Sequence, residues 1–202
     1  PDATRSLRTF SHLYEVAEYV GDTLVASQVK MSDEAQQSGV NVQSTLILGG
    51  QIAGERPGLY MVYPLGNCIA TSPETPYLQI GESKYGKPVI DRVVTPNTPL
   101  QEAAKCALIS MDSTLKSNLS VGLPLDLLVY EADSLRVDKL IHIDEGNAYF
   151  RMIRSTWGQR LRQVFDSIPD PTWQPDVPGH ELAPPPQAQA MNPLMRIQAP
   201  QG

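Results

Sequence analysis

Between residues 44 and 86, short apolar runs alternate with glycine and proline turns, and this alternation limits the folds open to the chain. The first run, 45–48, ends at two glycines, and the second, 60–63, follows the turn Arg56-Pro57-Gly58. Apolar and β-branched residues without helical spacing predict strands, and the turn between them predicts an antiparallel hairpin. We expect the first strand to be covered on both faces. Further strands are expected at 67–71 and 77–80, which would extend a meandering sheet.

Helical spacing flanks this sheet on both sides. Apolar residues recur every three or four positions from Phe10 to Leu24, which predicts an amphipathic helix with Ser11 as its N-cap. The polar stretch 29–39 is predicted to be a loop or a weak extension of that helix. After the sheet, a helix is predicted over 84–94, with Pro88 tolerated only near its first turn.

A capping box opens the next helix. Thr98-Pro99-Leu100-Gln101 places Thr at the N-cap, Pro at the first helical position and Gln at the third. We expect Asp112 to lie away from the internal apolar stripe of this helix. The stripe itself is predicted to contain Leu100, Ala104, Ala107, Leu108, Met111 and Leu115.

A second hairpin and a last helix follow. Apolar runs at 125–130 and 137–143 flank the turn Ala132-Asp133-Ser134 and predict two antiparallel strands. The last helix is predicted to begin near 144–147. One of its faces carries apolar residues throughout and is expected to be buried: Phe150, Ile153, Trp157, Leu161, Val164 and Phe165.

This order of elements predicts an α+β protein with two antiparallel sheets and helical layers outside them. The globular pattern stops near Trp173, so we expect one domain over residues 1–173. Residues 174–202 are rich in Pro, Gln and Ala, with little charge and no periodicity. Such a segment cannot bury enough apolar surface to offset its ordering entropy, so it is predicted to be a disordered tail.

Charge and composition exclude several classes of function. The formal net charge of −6 argues against binding to nucleic acid, because phosphate contacts need clustered Lys and Arg. No apolar run approaches the roughly 18 residues of a membrane span. Cys68 and Cys106 have no partner at a metal or redox spacing, so we expect free thiols in the reducing cytoplasm. No metal or cofactor is predicted.

Two longer motifs resemble the bacterial proteasome-related Anbu family. One is Gln79-Ile80-Gly81-Glu82-Ser83-Lys84-Tyr85-Gly86-Lys87-Pro88, and the other runs from 104 to 108 and from 112 to 124. The segment from 48 through 67 also resembles the central sheet of proteasome β-type subunits. The resemblance covers roughly residues 10–173. It implies the four-layer αββα sandwich of the N-terminal nucleophile hydrolases, here incomplete at the N-terminus.

The resemblance also implies a mechanism. In this superfamily the first residue of the mature chain, Thr or Ser, attacks an amide, with its own α-amino group as base and a Lys and an Asp nearby. Those residues lie on the family's opening strands, so none of them is assigned to a residue here. Pro1 has no hydroxyl. We therefore expect the chain to be truncated and inactive on its own.

One turn of the family's active site is matched by Gly81-Glu82-Ser83, at the place of a Gly-Ser-Gly turn that donates to the nucleophile's amine and to the oxyanion. A Glu is inserted before the Ser of this turn, so either Ser83 or Glu82 could take the supporting role, and we assign it to Ser83 because a hydroxyl both donates and accepts. Gly81 and Glu82 are then binding residues of the same turn. The alternative is that Ser83 simply caps the following helix.

A second turn reads Asp-x-x-Ser-Gly-Gly in proteasomes. The segment 117–122 keeps Ser120 and Gly122, but Ser117 stands in place of the Asp. The resemblance assigns Ser117 and Ser120 supporting roles and Gly122 a binding role. Both serines are equally compatible with an ordinary turn after a helix.

Three functions remain open from the sequence. The first is a proteasome-like peptidase subunit in a homo-oligomer, either a ring or a helical stack, that acts on peptides or unfolded protein. The second is a catalytically silent assembly subunit, suggested by the Ser117 substitution and by the unassigned nucleophile. The third is an amidohydrolase of the same fold that acts on a non-peptide amide.

Overall fold

The computed structural model describes residues 6–7, 9–38 and 40–172, apart from the side chains of 33–38. The chain divides into two units, 1–165 and 166–202, and the first contains both sheets. The tail predicted over 174–202 lies outside the described residues. The elements in chain order are α1 (Leu13–Ser38), β1 (Leu46–Gly50), β2 (Gly58–Val62), β3 (Cys68–Ala70), α2 (Ser83–Val93), α3 (Leu100–Ser117), β4 (Leu125–Val129), β5 (Lys139–Ile143) and α4 (Ala148–Ser167).

The first sheet is an antiparallel meander in the order β1-β2-β3. Leu48 pairs with Tyr60, and Met61 pairs with Ile69. The predicted fourth strand at 77–80 is wrong, because this segment forms no ladder. The expected cover on both faces of β1 is also wrong: α1 packs on this sheet, but Ile47 is 37% exposed.

Helix α1 lies against β2 and β3 at very short range. A Cβ on Gly21 would stand 2.0 Å from the carbonyl oxygen of Gly66, so only glycine allows this approach. The side chain of Gln28 donates to the carbonyl of Pro64 at 2.9 Å. Of the two options left open for 29–39, the helical extension is the one observed, since α1 continues to Ser38.

The start of α1 differs from the prediction. The helix begins at Leu13 rather than after a Ser11 cap. The carboxylate of Glu15 accepts the backbone N–H groups of Ser11 and His12, each at 3.0 Å. Glu55, from the β1–β2 turn, accepts the N–H of Leu13 at 3.2 Å. Carboxylates thus accept the free N–H groups at this helix end. Their negative charge also interacts favourably with the positive end of the helix dipole.

Helices α2 and α3 pack closely and run antiparallel. Gly86 faces Ser110, where a Cβ would stand 2.0 Å from the Ser110 hydroxyl oxygen, and Cys106 Sγ lies 4.0 Å from the carbonyl oxygen of Val89. Pro88 is the sixth residue of α2, further inside the helix than predicted. Its missing N–H affects only a carbonyl of the first turn, which solvent can satisfy.

The predicted capping box at the start of α3 is wrong. Pro99 is the N-cap, with no side-chain hydrogen bond to the helix. The hydroxyl of Thr98 instead accepts the N–H of Thr95 at 2.8 Å, so it closes the preceding turn. Leu100, expected in the internal stripe, is 46% exposed.

The second sheet is the β4–β5 hairpin, as predicted, with Leu127 paired to Ile141. One of its faces contributes to the core with α3 and the beginning of α4. The buried members of this cluster are Leu108, Ile143, Phe150 and Ile153. The predicted burial of α4 holds only for its first half, because Leu161 and Phe165 are 49% and 66% exposed.

The described structure therefore has four helices and two antiparallel sheets, in agreement with the predicted α+β class. Among the helices of the described residues, none has the length and apolar character that a membrane span requires.

Candidate functional site

The turn 81–83 leads directly into α2. Gly81 has φ +77°, a conformation that favours glycine, and the N–H of Ser83 donates to the Gly81 carbonyl at 2.9 Å. Ser83 is the first helical residue, and Glu82 is the N-cap, with no side-chain capping bond. The alternative that Ser83 caps α2 is thus wrong. Within the described part of the chain, we find no hydrogen bond made by the half-buried Ser83 hydroxyl.

Glu82 faces solvent rather than a pocket wall. Its carboxylate lies 3.5 Å from Lys84 Nζ, and both side chains are well exposed. The Lys84 ammonium also lies 5.0 Å from the ring centroid of Tyr85. An exposed pair of this kind adds little stability, but it holds both charges beside the turn. Glu82 is therefore a surface carboxylate and not a buried acid.

The segment before this turn is held to α2 by three side chains. Tyr77 donates its hydroxyl to Asp91, and Lys87 Nζ lies 2.8 Å from both the Tyr77 hydroxyl and the Asp91 carboxylate. Burial raises the pKa of Tyr77, with a further contribution from Asp91. Hydrogen bonds to Lys87 and Tyr77 lower the pKa of Asp91. This cluster fixes the approach of the chain to the 81–83 turn.

The second candidate turn, 117–122, begins at Ser117, the last residue of α3. The side-chain oxygen of Asn118 accepts both the N–H and the hydroxyl of Ser120, each at 2.8 Å. This is the local bonding that Asn provides in turns, so the ordinary-turn interpretation accounts for Ser120. Ser117, Ser120 and Gly122 are all exposed. Their polar groups are therefore accessible to a ligand.

Helix packing places the two turns at the same end of the α2–α3 pair. Gly86 packs against Ser110, and Val89 lies near Cys106, so the residue numbers of facing positions run in opposite directions. The N-terminus of α2, with Ser83, thus lies beside the C-terminal end of α3, with Ser117. At about 1.5 Å per residue, both are within roughly 10 Å of the helix crossing along the axis. No hydrogen bond joins the two turns among the described residues.

The sequence did not predict a buried ion pair near the second turn. Asp112, predicted to face away from the internal stripe, is 0% exposed, and its Oδ1 accepts from Arg154 Nε at 3.0 Å. Lys116 Nζ lies 3.6 Å from Asp112 Oδ2. The signal for it was present in the sequence: Asp112 follows the buried Leu108 by four residues, which places both on one face of α3. The pair joins the end of α3 to α4.

An apolar cavity among the described residues lies away from both turns. It has a volume of about 430 Å³ and lies between the first half of α3, including Leu100 and Ala104, and the β4–β5 hairpin, including Val129 and Ile141. Because Leu100 begins α3 and Ser117 ends it, the cavity is at the opposite end of that helix. It does not belong to the candidate site.

Chemically, the two turns offer hydroxyls and backbone N–H groups at the end of a packed helix pair. Neither Ser83 nor Ser117 contacts a His, Lys, Asp or Glu side chain that could activate it, as far as the described residues show. These groups can hold an amine or an oxyanion in place. They do not form an activated nucleophile.

No family model matches the chain. No curated protein matches it either.

Several solved structures of Anbu proteins, in contrast, are similar to the chain. Anbu (ancestral beta-subunit) from Yersinia bercovieri is 45% identical, with 86% of this chain and 72% of that chain covered and a TM-score of 0.79. Anbu from Hyphomicrobium sp. strain MC1 is 42% identical, with 85% and 70% covered and a TM-score of 0.74. The helical assembly of the Anbu complex from Pseudomonas aeruginosa has a subunit that is 44% identical, with 79% and 66% covered and a TM-score of 0.73.

The fold expected from the sequence, an αββα sandwich of two antiparallel sheets, is confirmed by these similarities.

Proposed function

The chain belongs to the Anbu family of proteasome-related proteins, and on that basis we propose that it is a peptidase subunit of a proteasome-like homo-oligomer. The proposed reaction is cleavage of peptide bonds in peptides or unfolded protein by an N-terminal Thr or Ser. We assign no residue of this chain to that nucleophile or to its Lys and Asp. The chain contributes the supporting wall of the site.

The observation that carries this proposal is the placement of the two turns at one end of the α2–α3 pair. In the proposed site, the Ser83 hydroxyl donates to the nucleophile's amine or to the oxyanion of the tetrahedral intermediate. Ser120 and Ser117 line the opposite side of the same opening. Gly81 and Gly122 lack side chains and so leave room for a peptide backbone.

The homo-oligomer has separate support. The Pseudomonas aeruginosa relative is described as a helical assembly of the Anbu complex. We propose a homo-oligomer of the same kind, either a ring or a helical stack, for this chain. The cytoplasm is the proposed compartment, in keeping with two free cysteines. We further propose that residues 1–173 are the folded domain and that 174–202 are a tail.

The test uses the product of the complete gene with short peptide substrates and a covalent hydroxyl-directed inhibitor. We expect the inhibitor to acylate the first residue of the mature chain, as read by peptide mass mapping. Ser83→Ala should lower kcat/KM by about 100-fold, the typical cost of removing one donor to an oxyanion. Ser134→Ala, a half-buried serine in the β4–β5 turn, is the matched control and should leave kcat/KM unchanged.

Absence of acylation at the first residue, together with absence of turnover, would reject the peptidase. The second candidate, a catalytically silent assembly subunit, would then stand. It is favoured by one specific observation: Ser117 occupies the position of the proteasome's Asp, which removes a carboxylate from the neighbourhood of the terminal amine.

A further inference from the structure

The second half of α4 presents apolar side chains that the core does not cover. Phe150 and Ile153 on this helix are 1% and 5% exposed. Leu161, Val164 and Phe165 continue the same side of the helix, at 49%, 59% and 66% exposure. We call these three residues the α4 stripe. An apolar stripe this exposed is typical of a surface that contacts another protein.

The charge of α4 is opposite to that of the whole chain. Residues 148–167 contain four arginines and one acidic residue, Asp166, whereas the chain has a formal net charge of −6. Arg154 is occupied by the buried Asp112. The other three arginines of the same helix, Arg151, Arg160 and Arg162, also lie at exposed positions. The α4 stripe is therefore flanked by arginines on both sides, and the helix as a whole carries net positive charge.

A surface of complementary character lies on α1. Val16 and Ala17 are 7% and 0% exposed and face the first sheet. On the opposite side, Glu18 and Asp22 are exposed, and Val29, further along the same side, is 66% exposed. We call Glu18, Asp22 and Val29 the α1 face. It combines two carboxylates with an apolar position about two turns beyond Asp22 and three turns beyond Glu18.

We propose that the α4 stripe of one copy packs against the α1 face of a second copy of this chain. Arg160 would then meet Glu18 and Asp22, while the apolar residues of both helices would cover each other. Contact between two α4 helices is disfavoured, because it would bring arginines of both copies together. The two surfaces are different, so the contact is head-to-tail, and repeating it gives either a ring or an open helix.

This inference deepens the homo-oligomer part of the proposed function and does not depend on the peptidase part. Assembly is read from particle mass, whereas the peptidase is read from acylation and turnover. A protein that assembles as proposed but cleaves no peptide would reject only the enzyme. A protein that cleaves peptides but assembles by other surfaces would reject only this contact.

The experiment is a charge exchange in the full-length protein, followed by sedimentation velocity and native mass spectrometry. Arg160→Glu alone should weaken self-association by about tenfold, since it places like charges opposite each other. The double variant Glu18→Arg with Asp22→Arg should weaken it similarly. Combining all three substitutions should restore association to within about threefold of the unmodified protein. Arg92→Glu, an exposed arginine on α2, is the matched control and should have no effect.

Leu161→Gln provides a second measurement that does not involve charge. It should shift the protein toward smaller species at every salt concentration, while the charge variants should differ most at low salt. Circular dichroism checks that each variant is folded. The inference is overturned if Arg160→Glu and Leu161→Gln leave the mass distribution unchanged, if the charge exchange does not restore association, or if the unmodified protein is a monomer.

Discussion

At the scale of single residues, we expect the stability of this protein to be most sensitive to substitution where a charge is buried. Asp112 is 0% exposed, yet only its Oδ1 has a hydrogen-bond partner, Arg154, since its Oδ2 makes no hydrogen bond within the described structure. Lys116 lies close enough, at 3.6 Å, to offset part of that remaining charge. Because removing one member of a buried pair leaves the other unpaired, such a site is sensitive to substitution even where the net value of the pair is small.

Asp112→Ala should lower the free energy of unfolding by about 2–3 kcal/mol. We place it below the roughly 3–5 kcal/mol of a fully buried pair because the Arg154 side chain is 42% exposed and solvent can reach it. Urea unfolding provides the measurement. Asp112→Asn keeps an acceptor for Arg154 and should recover part of the loss.

Asp126→Ala is the matched control, because Asp126 also pairs with a basic side chain, His142, but is 68% exposed. It should change stability far less than Asp112→Ala. Equal losses of unfolding free energy in the two variants would show that the burial of Asp112 does not determine how much its ion pair contributes to stability.

At the scale of elements, the start of α1 is joined to the β1–β2 turn by a titratable contact. His12 Nδ1 contacts the Glu55 carboxylate, which also accepts the N–H of Leu13. The hydrogen bond to Glu55 raises the pKa of His12 above its ordinary 6.5. The same bond lowers the pKa of Glu55 below its ordinary 4.5. The stability of the contact at the start of α1 therefore depends on pH.

His12→Gln should lower the melting temperature most between about pH 4.5 and 6.5. The contribution of His12 to stability is complete below the pKa that His12 has in the unfolded chain. It is lost as pH rises through the raised pKa of His12 in the folded protein. The contribution of Glu55 is complete above its unfolded pKa and is lost as pH falls through its lowered folded value. Between these limits both groups are charged in the folded state.

Thermal melting of both proteins across this pH range gives the difference directly. Glu55→Gln should remove the same pH-dependent difference, because it takes away the other member of the contact. A melting-temperature difference that is constant with pH would contradict the coupling.

At the scale of the whole described unit, one glutamine connects two groups of elements. Close packing joins α1 to the first sheet, and separately joins α2, α3, β4 and β5. The side chain of Gln51 donates to the Glu55 carbonyl and to Asp133 Oδ1, both at 2.7 Å. Its oxygen accepts from the Tyr130 hydroxyl at 2.8 Å and from the Asp133 N–H at 2.7 Å. All four hydrogen-bonding positions of the amide are used.

Gln51→Leu should lower the free energy of unfolding by about 2 kcal/mol. Two of its four hydrogen bonds, to the Glu55 carbonyl and the Tyr130 hydroxyl, are partly buried, and each contributes about 1 kcal/mol. It should also lower the denaturant m-value, because loosening the link lets the two groups unfold less cooperatively. Gln28→Leu is the matched control. Its amide bonds lie within α1 and to the Pro64 carbonyl, so it should lower stability without changing the m-value. An unchanged m-value in Gln51→Leu would contradict the proposed link.

The sequence by itself determined the local features of this protein. The glycine and proline turns and the runs between them predicted both hairpins, and the motifs at 79–88 and 104–124 predicted the Anbu family and its fold. These features depend on neighbours in the chain, where backbone geometry and residue type decide the outcome. The predicted N-caps at Ser11 and Thr98 were wrong. Glu15 and Glu55 accept the free N–H groups at the start of α1, and the hydroxyl of Thr98 bonds to Thr95 instead.

Only the tertiary structure decided what each face of an element contacts. Asp112 is buried because Arg154, 42 residues away, lies opposite to it. Leu161 and Phe165 stay exposed because the core ends before them, although their spacing matches that of the buried Phe150 and Ile153. Periodicity defines a face but not the partner that covers it. The same holds for Ser83 and Ser117, which share one end of α2–α3 only because these helices pack antiparallel through Gly86 and Ser110.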